Sequence, residues 1–584
     1  MNKSIEKFSL LYPSPEIYEQ DKSSVRFDKN PELLELLGVI NMFGMEKAEI
    51  LKYVTCDAAA INYRADIFAD ILKNKELCEI MKQAHGYLID IYDVKMRARN
   101  LYTDTDKSMD LIDSFFVINE IELYIKCVNY LAESYKKLEN PLEATGFKNL
   151  FEYITEIYES EEYKNLIKNI ASLNFRINNI KSVTIGANLD SQLRITNAGI
   201  VTVNNQEFKS GELLDMLLRL DMKKTEYTTI APLVMTNKRT LSWKTSLKNA
   251  VRNASDTHGE TINGAGLGGG NIVPQMKLPD MPGAQSADKE TQMFDYVFLS
   301  TLNKLYSSSV KQWRPIVRTF MNNNTNFLIK LLPEIKFILK CADIMFELEE
   351  IGASLCKPEL FTREEKIFDI AGLYNASLAI SLSSDKIVLN DIKFDENGMI
   401  YILTGPNRGG KSVITCAIGI AQLFCQLGML IPAQSAKISP IDCIYTHFAG
   451  SYNTFEKGRL GEECERLNII LNEVTQYSLV LLDETLSSTG SFEGSYIAAE
   501  VVEGLSLLGC KCIFSTHMHE LAALVDKINE TGVNKVDTLV AGMDDGERSF
   551  KMRREKPDGK SYAKDIALKF GISLDNMRER CRAN

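Results

Sequence analysis

The stretch Met399-Ile-Tyr-Ile-Leu-Thr-Gly-Pro-Asn-Arg-Gly-Gly-Lys-Ser412 decides the fold of the C-terminal third of this 584-residue chain. Its apolar half predicts a buried strand, and the nearly apolar residues 413–433 that follow predict a buried helix. The Gly-x-x-x-x-Gly-Lys-Ser pattern between them is typical of a loop whose main-chain amides curl around phosphate oxygens at a helix N-terminus. A chance match in a glycine-rich turn, the alternative, would not account for these flanks.

This loop is therefore a predicted nucleotide site. Lys411 would reach the β- and γ-phosphates of ATP, and Ser412 would ligate Mg²⁺. The predicted phosphate-binding residues are Gly405, Pro406, Asn407, Arg408, Gly409, Gly410, Lys411, Ser412 and Val413.

Two carboxylates follow a second apolar run, Ser478-Leu-Val-Leu-Leu-Asp-Glu484. A central parallel strand delivers such residues to its C-terminal edge, where Asp483 would hold Mg²⁺ through water and Glu484 would polarise the attacking water. Alone, such a pair is structural about as often as it is functional. His517 ends a third apolar run and would sense the γ-phosphate, although an isolated histidine there is more often a surface residue. His519 is interpreted as a surface residue.

The composition is that of a large globular protein. It has 45% hydrophobic and 25% charged residues and a formal net charge of −11, which exclude a disordered polymer and a uniformly basic nucleic-acid coat. The 12 cysteines form no Cys-x-x-Cys pair and there are five histidines, so a structural zinc site is not expected. Free thiols without a signal peptide predict a cytoplasmic protein, and the polar residues within 413–433 argue against a membrane span.

The rest of the chain changes pattern twice. Helical spacing dominates from about residue 30 to 180, and residues 183–185 and 199–203 are predicted to be short strands with a turn at Asn204 and Asn205. Residues 255–292 contain seven glycines and three prolines, which predicts a flexible insertion. Helical spacing resumes at residues 293–350, and a new α/β unit begins near Ile387.

The residues just described resemble a known family. The phosphate loop, Leu-Ile-Pro-Ala at 430–433, the strand ending at Glu484 and Ser-Thr-His-Met-His-Glu-Leu at 515–521 are similar to the ATPase domain of MutS proteins. Residues 558–572 resemble the C-terminal dimerising helix-turn-helix of the family. The resemblance implies a mainly helical lever and clamp region followed by an α/β P-loop (ABC-type) ATPase domain. The implied domains are a lever at 1–180, a clamp-like region at 181–330, returning lever helices at 331–385, the ATPase domain at 386–545 and the helix-turn-helix segment at 546–584.

The sequence also departs from the family pattern in several motifs. Mismatch-reading members carry a Phe-x-Glu motif, and no such motif occurs in residues 1–390, so the mismatch-reading domain is expected to be absent, as is a C-terminal Smr domain. The signature loop of the family presents a serine or threonine to the partner's nucleotide. Two alignments with this chain are possible, and neither places a hydroxyl there, although Arg459 offers a charge to phosphate. The candidate positions are Gly458, Arg459, Leu460 and Gly461. The family's adenine-stacking position falls near Ile387, which cannot stack as a ring.

Contact with DNA is predicted in two windows that lack acidic residues, 227–255 and 312–330. Such windows suit contacts with DNA phosphates, although an ordinary solvated helix face is the alternative. The predicted DNA-binding residues are Lys238, Arg239, Lys244, Lys248, Arg252, Arg314 and Arg318.

The resemblance implies a homodimeric MutS-like ATPase that uses ATP and Mg²⁺ to control a clamp on double-stranded DNA, mismatched or, by the missing domain, branched. It would act in repair or recombination, with partner proteins of those processes and no membrane. A different ABC-related DNA ATPase of the SMC type is disfavoured because long heptad repeats and an LSGGQ-like loop are missing. The alternative of another class is an ATP-binding structural clamp or partner-binding scaffold that does not hydrolyse ATP.

Overall fold

The computed structural model describes residues 8–14, 26–30, 32–97, 111–178, 182–189, 191–192, 195–204, 206, 325–382, 387–448, 458–544, 547–557 and 576–578. The chain divides into two compact units, one of residues 1–85, 133–154 and 330–584 and the other of residues 86–132 and 155–329. The predicted mixture of helical and α/β structure is confirmed. The basic window at 227–255, the part of the window at 312–330 that precedes residue 325, the insertion at 255–292 and most of the C-terminal segment lie outside the described residues. The predicted domain boundaries stay a prediction.

Helices dominate the N-terminal part, as its apolar spacing predicts. Asp57 caps one of them by accepting a hydrogen bond from the Ala60 N–H at 2.8 Å, which satisfies an otherwise unpaired donor. On the same helix, Arg64 is fully buried: its guanidinium lies 4.5 Å from the Tyr12 ring centre and its Nε donates to the Leu11 carbonyl. The described helices here are α1 (Leu33–Leu36), α2 (Ile40–Phe43), α3 (Lys47–Leu51), α4 (Ala58–Lys73), α5 (Lys75–Arg97), α6 (Leu111–Tyr135), α7 (Thr145–Glu159) and α8 (Glu161–Asn178).

The second unit contains an antiparallel hairpin of β1 (Ser182–Leu189) and β2 (Ile195–Asn204). Both strands are longer than the sequence predicts. Asn204, the first residue of the predicted turn, is the last residue of β2 and lies opposite Ser182, and Asn205 lies outside the described residues.

Two further helices, α9 (Thr325–Lys330) and α10 (Leu332–Glu350), precede the α/β part. Proline is accommodated at the start of α10 because the first helical N–H groups lack an intrahelical acceptor. The described strands that follow are β3 (Glu359–Leu360), β4 (Phe368–Leu373), β5 (Asn390–Phe394), β6 (Ile400–Thr404), β7 (Ser435–Ile438), β8 (Ile444–Phe448), β9 (Leu479–Asp483), β10 (Lys511–Ser515), β11 (Val536–Asp544) and β12 (Glu547–Arg554). The described helices among them are α11 (Ala376–Ser381), α12 (Lys411–Leu427), α13 (Arg459–Glu473), α14 (Ser491–Leu508), α15 (His519–Ala523) and α16 (Val525–Thr531).

These strands form two sheets, and the larger one positions the site. Its strand order is β12-β11-β6-β10-β9-β8, with β12 antiparallel to β11 and all other neighbours parallel. Strands β6, β9 and β10 are buried along their whole length, as expected for central parallel strands covered on both faces. The smaller sheet has the order β3-β7-β4-β5. The carboxyl ends of β6, β9 and β10 therefore meet at one edge of the larger sheet.

Helix α12 is the buried apolar helix predicted at residues 413–433, but it ends earlier. Gly428 stops it with φ +78°, and a Cβ there would lie 2.3 Å from the Cβ of Arg64. Two of its polar side chains make hydrogen bonds inside the protein: Gln422 donates to Gln426 at 2.9 Å, and Gln426 donates to the Ile441 carbonyl at 2.8 Å. Among the described residues, no helix is long and apolar enough to cross a membrane.

Candidate nucleotide site

The loop between β6 and α12 has a backbone that requires glycine. Gly405 has φ +134°, and a Cβ on it would lie 2.7 Å from the Cβ of Ala541. Gly410 has φ +91° and is the residue from which α12 starts. Residues other than glycine rarely adopt these backbone conformations. The two glycines therefore allow the chain to turn sharply from the end of the strand into the helix. The amides at the start of α12 are thereby directed at the loop, as an anion site needs.

Lys411 is the first residue of α12, and its side chain is only 5% exposed. Its Nζ donates to the carbonyl oxygens of Gly405 and Pro406, both at 3.3 Å, so the ammonium group lies over the loop. Burial lowers the pKa of Lys411, and the charges of Glu484 and Asp483 oppose that shift. A positive charge held by its own loop and by two carboxylates is available to phosphate oxygens.

Asp483 ends β9 beside Ser515, which ends β10 and pairs with it in register. The Asp483 side chain is 8% exposed, and both its Oδ1 and the Ser515 Oγ are buried without a hydrogen-bond partner among the described residues. A buried carboxylate oxygen without a donor is costly unless a cation or water occupies the space beside it.

The donor set fits Mg²⁺. The exposed Ser412 hydroxyl in the first turn of α12 and the Asp483 carboxylate are oxygen ligands, which this ion prefers. In the described part of the chain, no group of three or more His, Cys, Asp or Glu residues is suited to a metal. Two protein ligands are the number expected for an ion that keeps waters and takes its other ligands from substrate phosphates.

Glu484 and His517 form a contact beside this edge. The Nε2 of His517 lies 2.9 Å from the Oε1 of Glu484, and both ring nitrogens of His517 lie 3.3 Å from the Nζ of Lys411. Burial and the Lys411 charge lower the pKa of His517, while Glu484 opposes that shift. The neutral imidazole can therefore donate Nε2–H to Glu484 and accept from Lys411 at Nδ1, an assignment that follows from these neighbours. The structure thus brings together the three residues predicted to be catalytic.

A pocket of about 420 Å³ opens beside the loop, a volume suited to a small molecule. Part of its wall is the phosphate loop itself, from Arg408 to Val413. The rest of the wall is largely apolar and includes Leu378, Leu382, Ile387, Val388 and Phe550. Ile387 lies where the sequence places it, in the wall of the pocket next to the loop.

Phe550 was not predicted from the sequence. It belongs to β12, is 42% exposed and has φ +56°. Asn390 holds this strand in place, because its side chain donates to the Phe550 carbonyl at 3.2 Å and accepts from the Met552 N–H at 2.7 Å. The available signal was a single aromatic residue in an otherwise strongly charged strand.

The four signature-loop candidates lie at the start of α13. Gly458 precedes the helix with φ +73°, and Arg459, Leu460 and Gly461 form its first turn. Leu460 packs against the core of the larger sheet, whereas Arg459 and Gly461 are exposed. Of these positions, Arg459 therefore presents a polar side chain to the surface.

A parallel sheet with a phosphate loop after one central strand, an acidic pair at the end of another and a histidine after a third defines a P-loop ATPase domain. Comparisons with known proteins agree. A family model described as MutS domain V matches residues 401–573, and one described as MutS2 N-terminal domain matches residues 56–351, half of the chain. The chain belongs to the MutS family.

Curated relatives are similar over part of their length. Proteins named DNA mismatch repair protein MutS are 30% identical over 272 residues in Rhodopirellula baltica, 39% over 167 residues in Prochlorococcus marinus (strain MIT 9301) and 32% over 232 residues in Fervidobacterium nodosum. These matches cover 45%, 28% and 39% of this chain. The chain spans 30%, 18% and 27% of the respective relatives. Family members are in general ATPases that bind DNA and act as dimers.

Proposed function

We propose that this chain binds and hydrolyses ATP at the phosphate loop, and that the nucleotide state of a dimer controls a clamp on DNA. The observation that carries the proposal is the linked set of Lys411, His517 and Glu484 at the mouth of the loop. Beside it, Asp483 keeps a buried oxygen without a partner among the described residues. This combination supports phosphate binding together with activation of water.

Each residue has a distinct role in this proposal. The loop amides and Lys411 bind the β- and γ-phosphates, and Lys411 exchanges its two loop carbonyls for phosphate oxygens when ATP enters. When Mg²⁺ is bound, held by Ser412 and Asp483, it neutralises charge on the phosphates. Glu484 accepts a hydrogen bond from the attacking water and orients it. His517 donates to Glu484, which keeps the carboxylate at the edge where the γ-phosphate would lie.

The apolar pocket is the proposed site of the nucleotide base. Its position beside Gly410 and Lys411 suits a base whose phosphates lie on the loop. Phe550 supplies the aromatic face that Ile387 lacks. An aromatic ring can stack on a purine base, whereas an aliphatic side chain makes only van der Waals contact with it.

A second copy of the chain would complete each site. Family members act as dimers, and Arg459 is exposed at the start of α13, where the signature loop of the family lies. A guanidinium can bind phosphate oxygens with two parallel hydrogen bonds, so Arg459 would replace the missing hydroxyl in the partner's site. Hydrolysis in this dimer would then be coupled between subunits.

DNA is the proposed ligand of the arms, and branched DNA the preferred form. The support is the acid-free windows around residues 227–255 and 312–330 together with the family's DNA binding. Phosphate contacts of this kind give salt-sensitive binding that is indifferent to sequence. Partner proteins of repair or recombination would act on the same DNA.

A clamp that binds ATP without hydrolysing it is a second candidate, because neither alignment places a hydroxyl in the signature loop. Steady-state ATP hydrolysis separates the two. We expect turnover by the wild type, its loss in Glu484→Ala with ATP binding kept, and weakened ATP binding in Lys411→Ala. Lys393→Ala is the matched control, since Lys393 is an exposed lysine that pairs with Asp369 away from the site. A wild type that binds ATP but hydrolyses it no faster than Glu484→Ala would rule out the enzyme.

The DNA preference is tested by a competition gel shift at fixed salt with a homoduplex, a duplex carrying one G·T mismatch and a four-way junction of equal length. We expect the mismatch to compete no better than the homoduplex and the junction to compete at least as well. A tenfold preference for the mismatch would overturn this part of the proposal.

A further inference from the structure

The turn that carries Glu484 has an unusual backbone. Glu484 has φ +52° and Leu486 has φ +65°, so two non-glycine residues on either side of Thr485 adopt the left-handed conformation. This backbone conformation is unfavourable for residues other than glycine, and it persists only where neighbouring contacts impose it. The contacts that impose it therefore determine where the Glu484 carboxylate lies.

Different parts of the sheet and core contact the three consecutive residues Glu484, Thr485 and Leu486 of the turn. The Glu484 N–H donates to the Ser515 carbonyl on β10 at 2.9 Å. Leu486 is fully buried in the core cluster of the larger sheet. Its N–H and the Ser488 hydroxyl donate to Glu463 on α13. The side chain of Thr485, between Glu484 and Leu486, reaches the opposite neighbour of β9, strand β8.

Thr485 makes that contact with His447. Its Oγ1 lies 3.0 Å from the Nδ1 of His447 and 3.3 Å from the carbonyl oxygen of the same residue. Thr485 is fully buried and His447 is 3% exposed, so water does not compete for these hydrogen bonds. His447 itself is fixed in β8, opposite Leu482 of β9. The hydroxyl thus joins the catalytic turn to the strand next to it.

We propose that Thr485 and His447 form a positioning pair that holds the turn in its left-handed conformation and thereby places the Glu484 carboxylate for water activation. The pair touches neither phosphate nor water; it acts through Glu484. This inference rests on the proposed ATP hydrolysis and adds the residues that set the geometry of its base.

The test compares Thr485→Val, which removes the hydroxyl and keeps the branched shape, with Thr485→Ser, which keeps the hydroxyl. We expect Thr485→Val to lower kcat at least tenfold while the Kd for ATP, measured with a fluorescent analogue, changes less than threefold. Thr485→Ser should keep kcat within about threefold of the wild type. A merely structural role would lower kcat and raise the Kd for ATP together, or change neither.

Thr538→Val is the matched control. Thr538 is 2% exposed, lies on β11 and donates from its hydroxyl to the Glu555 carbonyl at 2.7 Å, so the substitution removes a partly buried threonine hydrogen bond away from the turn. It should lower the melting temperature about as much as Thr485→Val and leave kcat unchanged. Equal loss of kcat in both variants would overturn the inference.

A double-mutant cycle tests the pairing itself. If Thr485 and His447 act as one unit, Thr485→Val combined with His447→Phe lowers kcat no further than the more severe single variant. Additive effects, or a Thr485→Val enzyme with wild-type kcat, would refute the positioning pair while leaving the proposed hydrolysis intact. Loss of the proposed function has a different signature, namely a wild type whose turnover is no faster than that of Glu484→Ala.

Discussion

The Nε2 of His517 lies 2.9 Å from the Oε1 of Glu484, so one hydrogen bond joins the end of β10 to the end of β9 across the mouth of the phosphate loop. The same imidazole approaches Lys411 at 3.3 Å. A single side chain therefore contacts both the group that would orient water and the group that would bind the γ-phosphate. In the proposed function, His517 would therefore couple ATP binding to hydrolysis.

Substitution of this histidine should separate catalysis from binding. In His517→Ala, Glu484 loses its hydrogen-bond donor while the loop stays intact, so we expect kcat to fall about tenfold or more and the Kd for ATP to change little. Steady-state hydrolysis and binding of a fluorescent ATP analogue measure the two effects. His519→Ala is the matched control, because His519 is exposed two residues further along. An equal loss of kcat in both variants would show that His517 has no special role.

His447 should make the stability of the larger sheet depend on pH. Burial and the charge of Arg466 lower the pKa of His447 from 6.5 to about 4, so the folded protein binds fewer protons than the unfolded chain between these values. The contribution of His447 to the free energy of unfolding is therefore fully present above its pKa in the unfolded chain, 6.5. It is lost as the pH drops towards its pKa in the folded protein, and the loss is about 2 kcal/mol at pH 5.

The variant His447→Gln removes this titration. Melting temperatures at pH 7.5 and pH 5 should show a smaller decrease for the variant than for the wild type, whatever the offset between them at pH 7.5. The same decrease in both proteins would mean that His447 is not kept neutral by the fold.

Gly405 should not tolerate a side chain. In Gly405→Ala the new Cβ would lie 2.7 Å from the Cβ of Ala541 at a φ of +134°, so we expect a loss of about 2 kcal/mol or more together with weakened ATP binding. Adding Ala541→Gly removes the clash but not the backbone strain, and should restore stability only in part. Thermal unfolding and nucleotide titration check both variants.

Gly490→Ala is the control for that substitution. A Cβ at Gly490 meets nothing within 4 Å, and its φ of −60° suits any residue. Because Gly490 is the N-cap of α14, where alanine is less favourable than glycine, we expect this variant to lose no more than about 1 kcal/mol of stability and to match the wild type in ATP affinity. A Gly405→Ala protein that also behaved like the wild type would contradict the restricted geometry of the loop.

The sequence predicts the parts of the site whose signals are local. The strand, loop and helix around Lys411 and the strand ending at Asp483 each follow from a short run of residues. Both runs lie in the parallel sheet, so the edge at which their ends meet also follows from topology. That is why the sequence alone predicts that Lys411, Glu484 and His517 lie at one edge of the sheet.

Residues whose role depends on pairing between distant segments were missed. Phe550 reaches the pocket because β12 pairs with β11 and is held by Asn390, which lies 160 residues earlier. Thr485 and His447 meet because β8 and β9 are neighbours, and no spacing in the sequence records that register. The predicted end of α12 was also wrong: the helix stops before Gly428, because the close approach of Arg64 from a distant helix requires glycine there.

Phe550 offers the sharpest test of the base site, because the substitution should distinguish the base from the phosphates. If its ring stacks on the adenine, Phe550→Ala weakens ATP binding about tenfold, as expected from 1–3 kcal/mol per stacked base, and leaves the affinity for inorganic tripolyphosphate unchanged. Phe550→Trp, which keeps an aromatic face, should bind ATP about tenfold more tightly than Phe550→Ala.

Phe492→Ala is the control, since Phe492 is 81% exposed on α14 and lies outside the pocket wall. Calorimetric titration with ATP and with tripolyphosphate measures both affinities. Equal weakening for the two ligands would mean that Phe550 shapes the phosphate loop, which it approaches at Gly410, and not the base site.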